Sequence, residues 1–528
     1  MTTWRALVIL VVPGLLSCGG GGSGGTGDAA PDTTADRVAA DAAPEARLPD
    51  AAPDTVPPDT AADAGPEIVE WTPPDLSLPV VAGAARTLIT PEFEPYTDSN
   101  GDGHWEPGEP FEDLDGDGTL TSLELGGFGW RHPTGVHDDL WCRAAALRVQ
   151  GEWLLLIAVD SLGLGIQRVE GIQERIVTRL GAPSDLPRER IVVAATHSHA
   201  VPDSIGIFGE EGVDPDYLAW VQDRAAEAAI QALLAAEEAE LVITSADAPE
   251  LVRDIDPPDI TDPYVGIVQA RRPGGQAIVT LISVANHPEC TWTDNTLISA
   301  DFPFYLLDAV EAAQGGIGLY VSADLGLMQS PEKLGEEGFE RTELVGTAYA
   351  EHVLAALAEA EPSDPGDLAP AFGYVAVQAA LENPELYIGL AEGIVDGYKG
   401  SIYLTGEPPC DFFGCLDLPL AAWRLGDELT LVTLPGEFTP ELIIGGITSP
   451  PGYGGLYPDA PPEPVLADHL STRERFVIGL AGMEAGYVYP KMTHEPEEHF
   501  SQSHAPGPNM AMALMTGLTE LVDDLNAR

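Results

Sequence analysis

From about Asp75 onward the chain is built on six short apolar runs: Trp153 to Val159, Ile191 to Thr196, Ala277 to Ala285, Ile317 to Ser322, Leu429 to Leu434 and Phe476 to Leu480. Runs of this length, apolar without alternation, read as strands buried on both faces. Among the segments between them, Val169 to Leu180 sets Ile172, Ile176 and Leu180 on one helical face, and Tyr217 to Ala239 reads as a second helix, rich in Ala, Glu and Leu. Strands alternating with helices imply an α/β fold of mixed or parallel sheets flanked by helices, forming a single large domain over 76–528. No repeat of solenoid length is present.

The strand ends carry the chemistry. Ile191-Val192-Val193-Ala194-Ala195-Thr196 runs into His197-Ser198-His199, and in extended backbone residues two apart face the same side. Open α/β sheets bind ligands at the carboxyl ends of their strands. The layout recurs at Asn286-His287-Pro288-Glu289, at Pro435-Gly436-Glu437, at Gly486-Tyr487 and, through Gly326, at Ser330-Pro331. A single strand-end histidine is usually a satisfied core residue. Imidazoles joined by a carboxylate and a phenol oxygen instead form a borderline-soft N/O set that suits Zn2+ and leaves room for a water. Such a water has its pKa lowered to about 7 and attacks carbonyls.

Two Asp/Gly-rich loops precede this region. Asp98, Asn100, Asp102, Gly103 and Glu109 occupy positions 1, 3, 5, 6 and 12 of a calcium loop, and Asp113, Asp115, Asp117, Gly118 and Glu124 repeat the arrangement. Solvated Asp/Gly turns are the alternative. Pro107 and Pro110 argue against a regular helix between the loops, so 98–124 is expected as an EF-hand-like insertion holding structural Ca2+.

The first residues have the layout of an export signal: Arg5, an apolar stretch from Ala6 to Leu16, then Leu15-Leu16-Ser17-Cys18, which resembles a bacterial lipobox. Residues 1–18 are expected as a lipoprotein signal peptide whose Cys18 is lipidated, and the alternative is an ordinary secretory signal with an incidental cysteine. Residues 19–75, rich in Gly, Ala, Pro and Asp, cannot form a core and are expected as a disordered tether. The implied location is exported, anchored by lipid to the bacterial cell envelope, at the outer membrane or the cell surface. Four cysteines remain, and Cys410 and Cys415 bracket a short loop. Their pairing would leave Cys142 with Cys290, although three connectivities are open. With 24 basic and 85 acidic residues the formal charge is −61, which excludes nucleic acid as a partner because phosphates are repelled. No protein partner is legible.

These residues together resemble the neutral/alkaline non-lysosomal ceramidases. The matching motifs, in order over about residues 80 to 528, are Gly135-Val136-His137 before Arg143-Ala144, Thr196-His197-Ser198-His199, His287-Pro288, Leu325 to Pro331, Leu434-Pro435-Gly436-Glu437-Phe438-Thr439 and Ala485-Gly486-Tyr487-Val488. The resemblance implies a zinc amidase domain that cleaves the N-acyl bond of ceramide. It implies His197, His287, Glu437 and Tyr487 as zinc ligands and His199 as acid/base or oxyanion partner. Ser330 matches the family's active-site serine, which either attacks directly or orients the zinc-bound water. His504 falls where the family places a tyrosine that donates to the oxyanion. Arg253 matches a substrate-contacting arginine or forms a surface salt bridge, and His137 contacts substrate or serves structure.

The sequence departs from the family in three places. Ala200-Val201-Pro202-Asp203-Ser204 replaces a glycine-rich continuation, the calcium loops are an addition, and the family's smaller immunoglobulin-like C-terminal domain is not expected. The implied substrate is a lipid-like N-acyl compound. The alternatives are a zinc hydrolase of the same fold acting on another amide or ester, or an inactive, calcium-stabilised binding lipoprotein.

Overall fold

The computed structural model describes residues 77–528 apart from 102, 115, 117, 119, 121, 182–185, 210, 211, 399, 406–409, 411, 412 and 449–454. The expected signal peptide with Cys18, the tether, and the expected calcium ligands Asp102, Asp115 and Asp117 lie outside the described residues. Among the described residues no helix is long and apolar enough to cross a membrane.

Three mixed sheets share one central core. The first runs β4-β3-β2-β1, made of β1 (Val80–Leu88), β2 (Trp141–Val149), β3 (Glu152–Val159) and β4 (Ile191–Ala195), with Glu237–Glu238 at its far edge. The second runs β8-β7-β6-β5, made of β5 (Glu240–Asp247), β6 (Tyr264–Arg271), β7 (Ala277–Val284) and β8 (Ile317–Ser322). The third runs β9-β10-β11-β12, made of β9 (Pro370–Ala380), β10 (Cys415–Leu425), β11 (Leu429–Thr433) and β12 (Glu474–Ile478). Each sheet is antiparallel except at one edge, where a parallel strand is added: β4 on β3, β8 on β7, β12 on β11.

Alternate side chains of these strands enter two different cores, which is why the runs are continuously apolar. Leu154, Leu156 and Ala158 of β3 enter the central core, where they join Leu281 and Leu319 of the second sheet and Leu431 and Phe476 of the third. Leu155 and Ile157 face the other way, in one cluster with residues of α1 (Ile166–Leu180) and α2 (Pro215–Leu234) such as Ile172, Ile176, Ala225 and Ala229. The second sheet is covered by α3 (Phe302–Gln314) and α4 (Phe339–Glu359) through Phe302, Leu306, Tyr349 and Val353. The third is covered by α5 (Met510–Asn526) through Leu514, Leu518 and Val522. Each fully buried aliphatic side chain contributes roughly 1.5–3 kcal/mol relative to exposure, so this shared interior fixes how the three sheets meet.

Two expectations are corrected. Helix α2 begins behind Asp214, whose carboxylate accepts from the Asp216 and Tyr217 amides, but it ends at Leu234 rather than Ala239. Glu237 and Glu238 pair instead with Ala82 and Val81, because the open edge of the first sheet satisfies their backbone groups. Cys410 and Cys415 do form a disulfide, with Cα atoms 5.1 Å apart. Cys142 and Cys290 are unpaired buried thiols held in separate hydrophobic clusters, so they do not form the companion bond.

At their carboxyl ends the sheets are joined by main-chain hydrogen bonds. The Ala195 amide donates to Leu480 O (3.2 Å) and Gly479 to Ser322 O (2.7 Å), tying the third sheet to the first and the second, while Leu434 to Ile478 O (2.8 Å) and Glu437 to Gly486 O (3.0 Å) continue the third sheet's own pairing. Glu437–Phe438 and Tyr487–Val488 pair as a short parallel ladder. Residues far apart in sequence are thereby held in register at one place.

Candidate metal centre

His197, His287 and Glu437 meet at that junction, all buried. The extended-strand expectation for the two histidines after β4 needs correcting, since the strand stops at Ala195 and His197 takes φ 67°. A left-handed conformation costs an L residue about 1–3 kcal/mol, and it is held here by the His197 amide donating to Ser161 O at 2.9 Å. This turn, rather than strand alternation, brings the rings of His197 and His199 edge to face, with centroids 4.9 Å apart at 80°.

Second partners orient the rings. His197 Nδ1 lies 2.6 Å from Leu162 O and His287 Nδ1 lies 2.8 Å from Met328 O. A carbonyl only accepts, so each Nδ1 carries a proton and each Nε2 is the ring atom turned to the centre. There the two Nε2 atoms sit 3.6 Å and 3.0 Å from Glu437 Oε2. Burial alone would raise the Glu437 carboxyl, but His197 and His287 hold it well below the usual carboxylate range. Tyr487 is brought beside Glu437 by the parallel ladder, and burial followed by Glu437's charge pushes its hydroxyl well above the usual phenol value. Ring nitrogens of His197, His199 and His287 lie within 4.8 Å of one another, so this buried group can hold a metal ion. The donor chemistry fits zinc: imidazole nitrogens converge on one carboxylate oxygen, with no arginine or lysine ion-paired to Glu437 among the described residues.

His199 sits against the ligand pair in an aromatic and acidic surround. Its ring packs edge to face on Phe128 at 4.9 Å, and Nδ1 lies 3.3 Å from Glu289 Oε2 without hydrogen-bond geometry, leaving both ring nitrogens unpartnered. Burial, then His197 and His287, draw the imidazole well below the usual histidine value. Glu289 is held by Gln329, whose Nε2 donates to Oε1 at 2.5 Å. The His199 backbone is fixed by buried Arg131, which donates to His199 O at 3.0 Å. Gly127, at φ +94°, lies so close that a Cβ there would stand 2.5 Å from His199 Cβ and Cγ. Gly127→Ala is expected to displace the ring and lower turnover about 100-fold, the scale for a 1 Å misplacement, with kcat as the measurement.

The remaining sequence candidates are placed less centrally. Ser330 Oγ accepts from Nδ2 of Asn286, the residue before His287 (3.0 Å), and from Cys290 Sγ (3.3 Å), in a buried niche. Arg253 donates to Gln329 Oε1 (2.7 Å) and Ser330 O (3.2 Å) while pairing with Glu332 at 3.0 Å, so it braces the serine strand and forms a surface ion pair at once. His137 stacks on Phe339 at 3.7 Å, with Nδ1 2.9 Å from Asp138. His504 turns back on its own short helix, with Nδ1 3.0 Å from Phe500 O and its ring 4.2 Å from Phe500. After His199 the chain turns at Asp203, whose carboxylate accepts from Ile205 and Gly206, each at 2.8 Å.

In the calcium-type segment, Asp98 accepts from Gly101 (2.6 Å) and Gly103 (2.8 Å), Glu109 from Ser99 (2.7 Å) and Asp113 from Gly116 (2.7 Å). No helix interrupts it among the described residues. Glu124 turns elsewhere: it accepts from Gly212 at 3.1 Å and lies beneath Gly209, bracing that loop.

The sequence reading did not single out Glu484. One of its carboxylate oxygens, one of Glu437 and a ring nitrogen of His197 lie within 4.8 Å of one another. Glu484 follows the Phe476 to Leu480 run more closely than Tyr487 does, so the run-then-polar layout was the signal that could have found it.

Four residues beyond Glu437, the buried carboxyl of Glu441 is pushed by burial to about 7, with Oε2 unpartnered. Because its folded pKa lies above the unfolded value, the native state binds the extra proton, and stability falls as pH rises from about 4.5 to about 7. Glu441→Gln is expected to gain roughly 3 kcal/mol at pH 8 and nothing below pH 4, read by denaturant unfolding at both values.

No family model and no curated protein matches the sequence. Solved structures do match in shape. Neutral ceramidase from Pseudomonas aeruginosa superposes with a TM-score of 0.61 at 16% identity, over 86% of this chain and 75% of that one. A ceramidase complexed with C2 gives a TM-score of 0.61 at 16% identity, over 86% of this chain and 76% of its own. The three-sheet scaffold that gathers these histidines and carboxylates is the fold of neutral ceramidase.

Proposed function

We propose that this protein is a zinc-dependent hydrolase that cleaves the N-acyl amide bond of ceramide or a ceramide-like lipid. The observation that carries the reading is the buried convergence of His197, His287 and Glu437, with Tyr487 and His199 beside them, on a neutral ceramidase fold. His197, His287, Glu437 and Tyr487 would hold the ion. When bound, zinc supplies polarisation of a carbonyl and acidification of water. The Leu162 and Met328 carbonyls keep the two ligand rings in one tautomer. Glu437 sets the charge of the centre, and the buried surround excludes bulk solvent. His199, with both nitrogens free of hydrogen bonds, is the group placed to take a proton and pass it to the leaving nitrogen.

Turnover of a fluorescent ceramide by purified protein, with and without a chelator and alongside elemental analysis, tests the reading. Chelator-sensitive release of fatty acid at about one zinc per chain supports it. Stoichiometric zinc without hydrolysis of any acyl substrate would instead favour the binding-lipoprotein reading. A second hydrolase reading, another amide or ester as substrate, draws on the Asp203-capped turn after His199 and on His504 packing against the exposed Phe500, and predicts small-acyl turnover without ceramide turnover. Structural calcium in 98–124 and lipid anchoring through Cys18 belong to the same proposal. The amide-cradled Asp98, Glu109 and Asp113 carboxylates support the first.

A further inference from the structure

Glu484 belongs to the irregular segment between β12 and Tyr487, and its main chain is pinned on both sides. Its amide donates to Leu164 O at 2.9 Å, and its carbonyl accepts from the Tyr398 hydroxyl. Gly163 packs against the side chain so closely that a Cβ there would lie 2.8 Å from Glu484 Cγ. Oε1 accepts from the Gly486 amide at 2.6 Å, whereas Oε2 is buried with no hydrogen-bond partner. The carboxylate stands within 4.8 Å of ligating atoms of both Glu437 and His197. Among the described residues, the ion pairs of Glu437 are to histidines alone, and Glu484 has none. Two carboxylates sharing a buried site repel each other, and an unsatisfied oxygen adds a desolvation cost. A cation between them relieves both.

We propose that Glu484 is a second carboxylate ligand of the metal centre, added to His197, His287, Glu437 and Tyr487. This rests on the zinc-centre reading above. Two carboxylates neutralise a dication and make a harder donor set than histidines alone.

The test is zinc affinity by competition with a chromophoric chelator, together with the visible spectrum of the cobalt(II)-loaded protein, for wild type, Glu484→Gln and Glu484→Asp. Glu484→Gln is expected to weaken zinc binding about 10-fold or more and to change the cobalt bands, with Glu484→Asp recovering part of the affinity. A folded Glu484→Gln with wild-type affinity and an unchanged cobalt spectrum overturns the proposal. If the glutamine variant does not fold, the aspartate variant decides, because weakened affinity or altered bands support the assignment and unaltered values reject it. Wild-type protein that takes up neither ion removes both the centre and this ligand. Wild-type protein that binds zinc through Glu484 but hydrolyses no acyl substrate leaves the ligand standing and removes only the hydrolase reading.

Discussion

Glu437→Ala is expected to yield a folded protein without stoichiometric zinc and without measurable acyl hydrolysis. Glu437 Oε2 is the atom both ligand rings converge on, at 3.0 Å from His287 Nε2 and 3.6 Å from His197 Nε2. Removing it takes away the shared carboxylate of the centre. The loss of Lewis-acid assistance is worth several kcal/mol, so kcat/KM should fall by about 1000-fold or more. The fold should survive, because the Glu437 amide still donates to Gly486 O and the ladder to Tyr487 is main chain. Elemental analysis and circular dichroism on the same sample check both halves. A Glu437→Ala protein that kept one tightly held zinc would show that the ion binds elsewhere.

His199→Ala is expected to separate metal binding from chemistry. The ring has neither of the carbonyl contacts that orient His197 and His287, and its Nδ1 faces Glu289 instead. If it carries protons, its removal should leave zinc at the wild-type level and reduce kcat by about 100- to 10,000-fold, the range for a general acid/base. Zinc loss in this variant would move His199 into the ligand set, using the three-histidine grouping in which its nitrogen lies within 4.8 Å of the other two. Preserved turnover would end its proton-carrying role.

The buried strands were legible because each face of each sheet meets a core. Leu154, Leu156 and Ala158 go to one and Leu155 and Ile157 to the other, so no polar residue interrupts the run. His197 and His287 were legible as candidates because they follow such runs closely, His197 after β4 and His287 after β7. Helix α2 was overextended because propensity alone does not register an available sheet edge, which captured Glu237 and Glu238. The ring of His504 was out of reach for a similar reason, since a four-residue helix folds it onto Phe500, a contact with no signature in the chain. Glu484 also follows such a run, but its inward course is forced by Gly163, Leu164 and Tyr398, all distant in sequence.

By itself the sequence determined the layering, the strands that end in polar groups, and His197, His287 and Glu437 as candidate donors, since these depend on local hydrophobic continuity and on residue type. The tertiary structure alone decided which donors share one point in space: the left-handed turn at His197, the carbonyls that fix each tautomer, the amides that join three sheets and the approach of Glu484. Those are long-range contacts, and pairwise distances between residues 150 or more positions apart, such as His287 and Glu437, are set by how buried sheets pack rather than by any pattern along the chain.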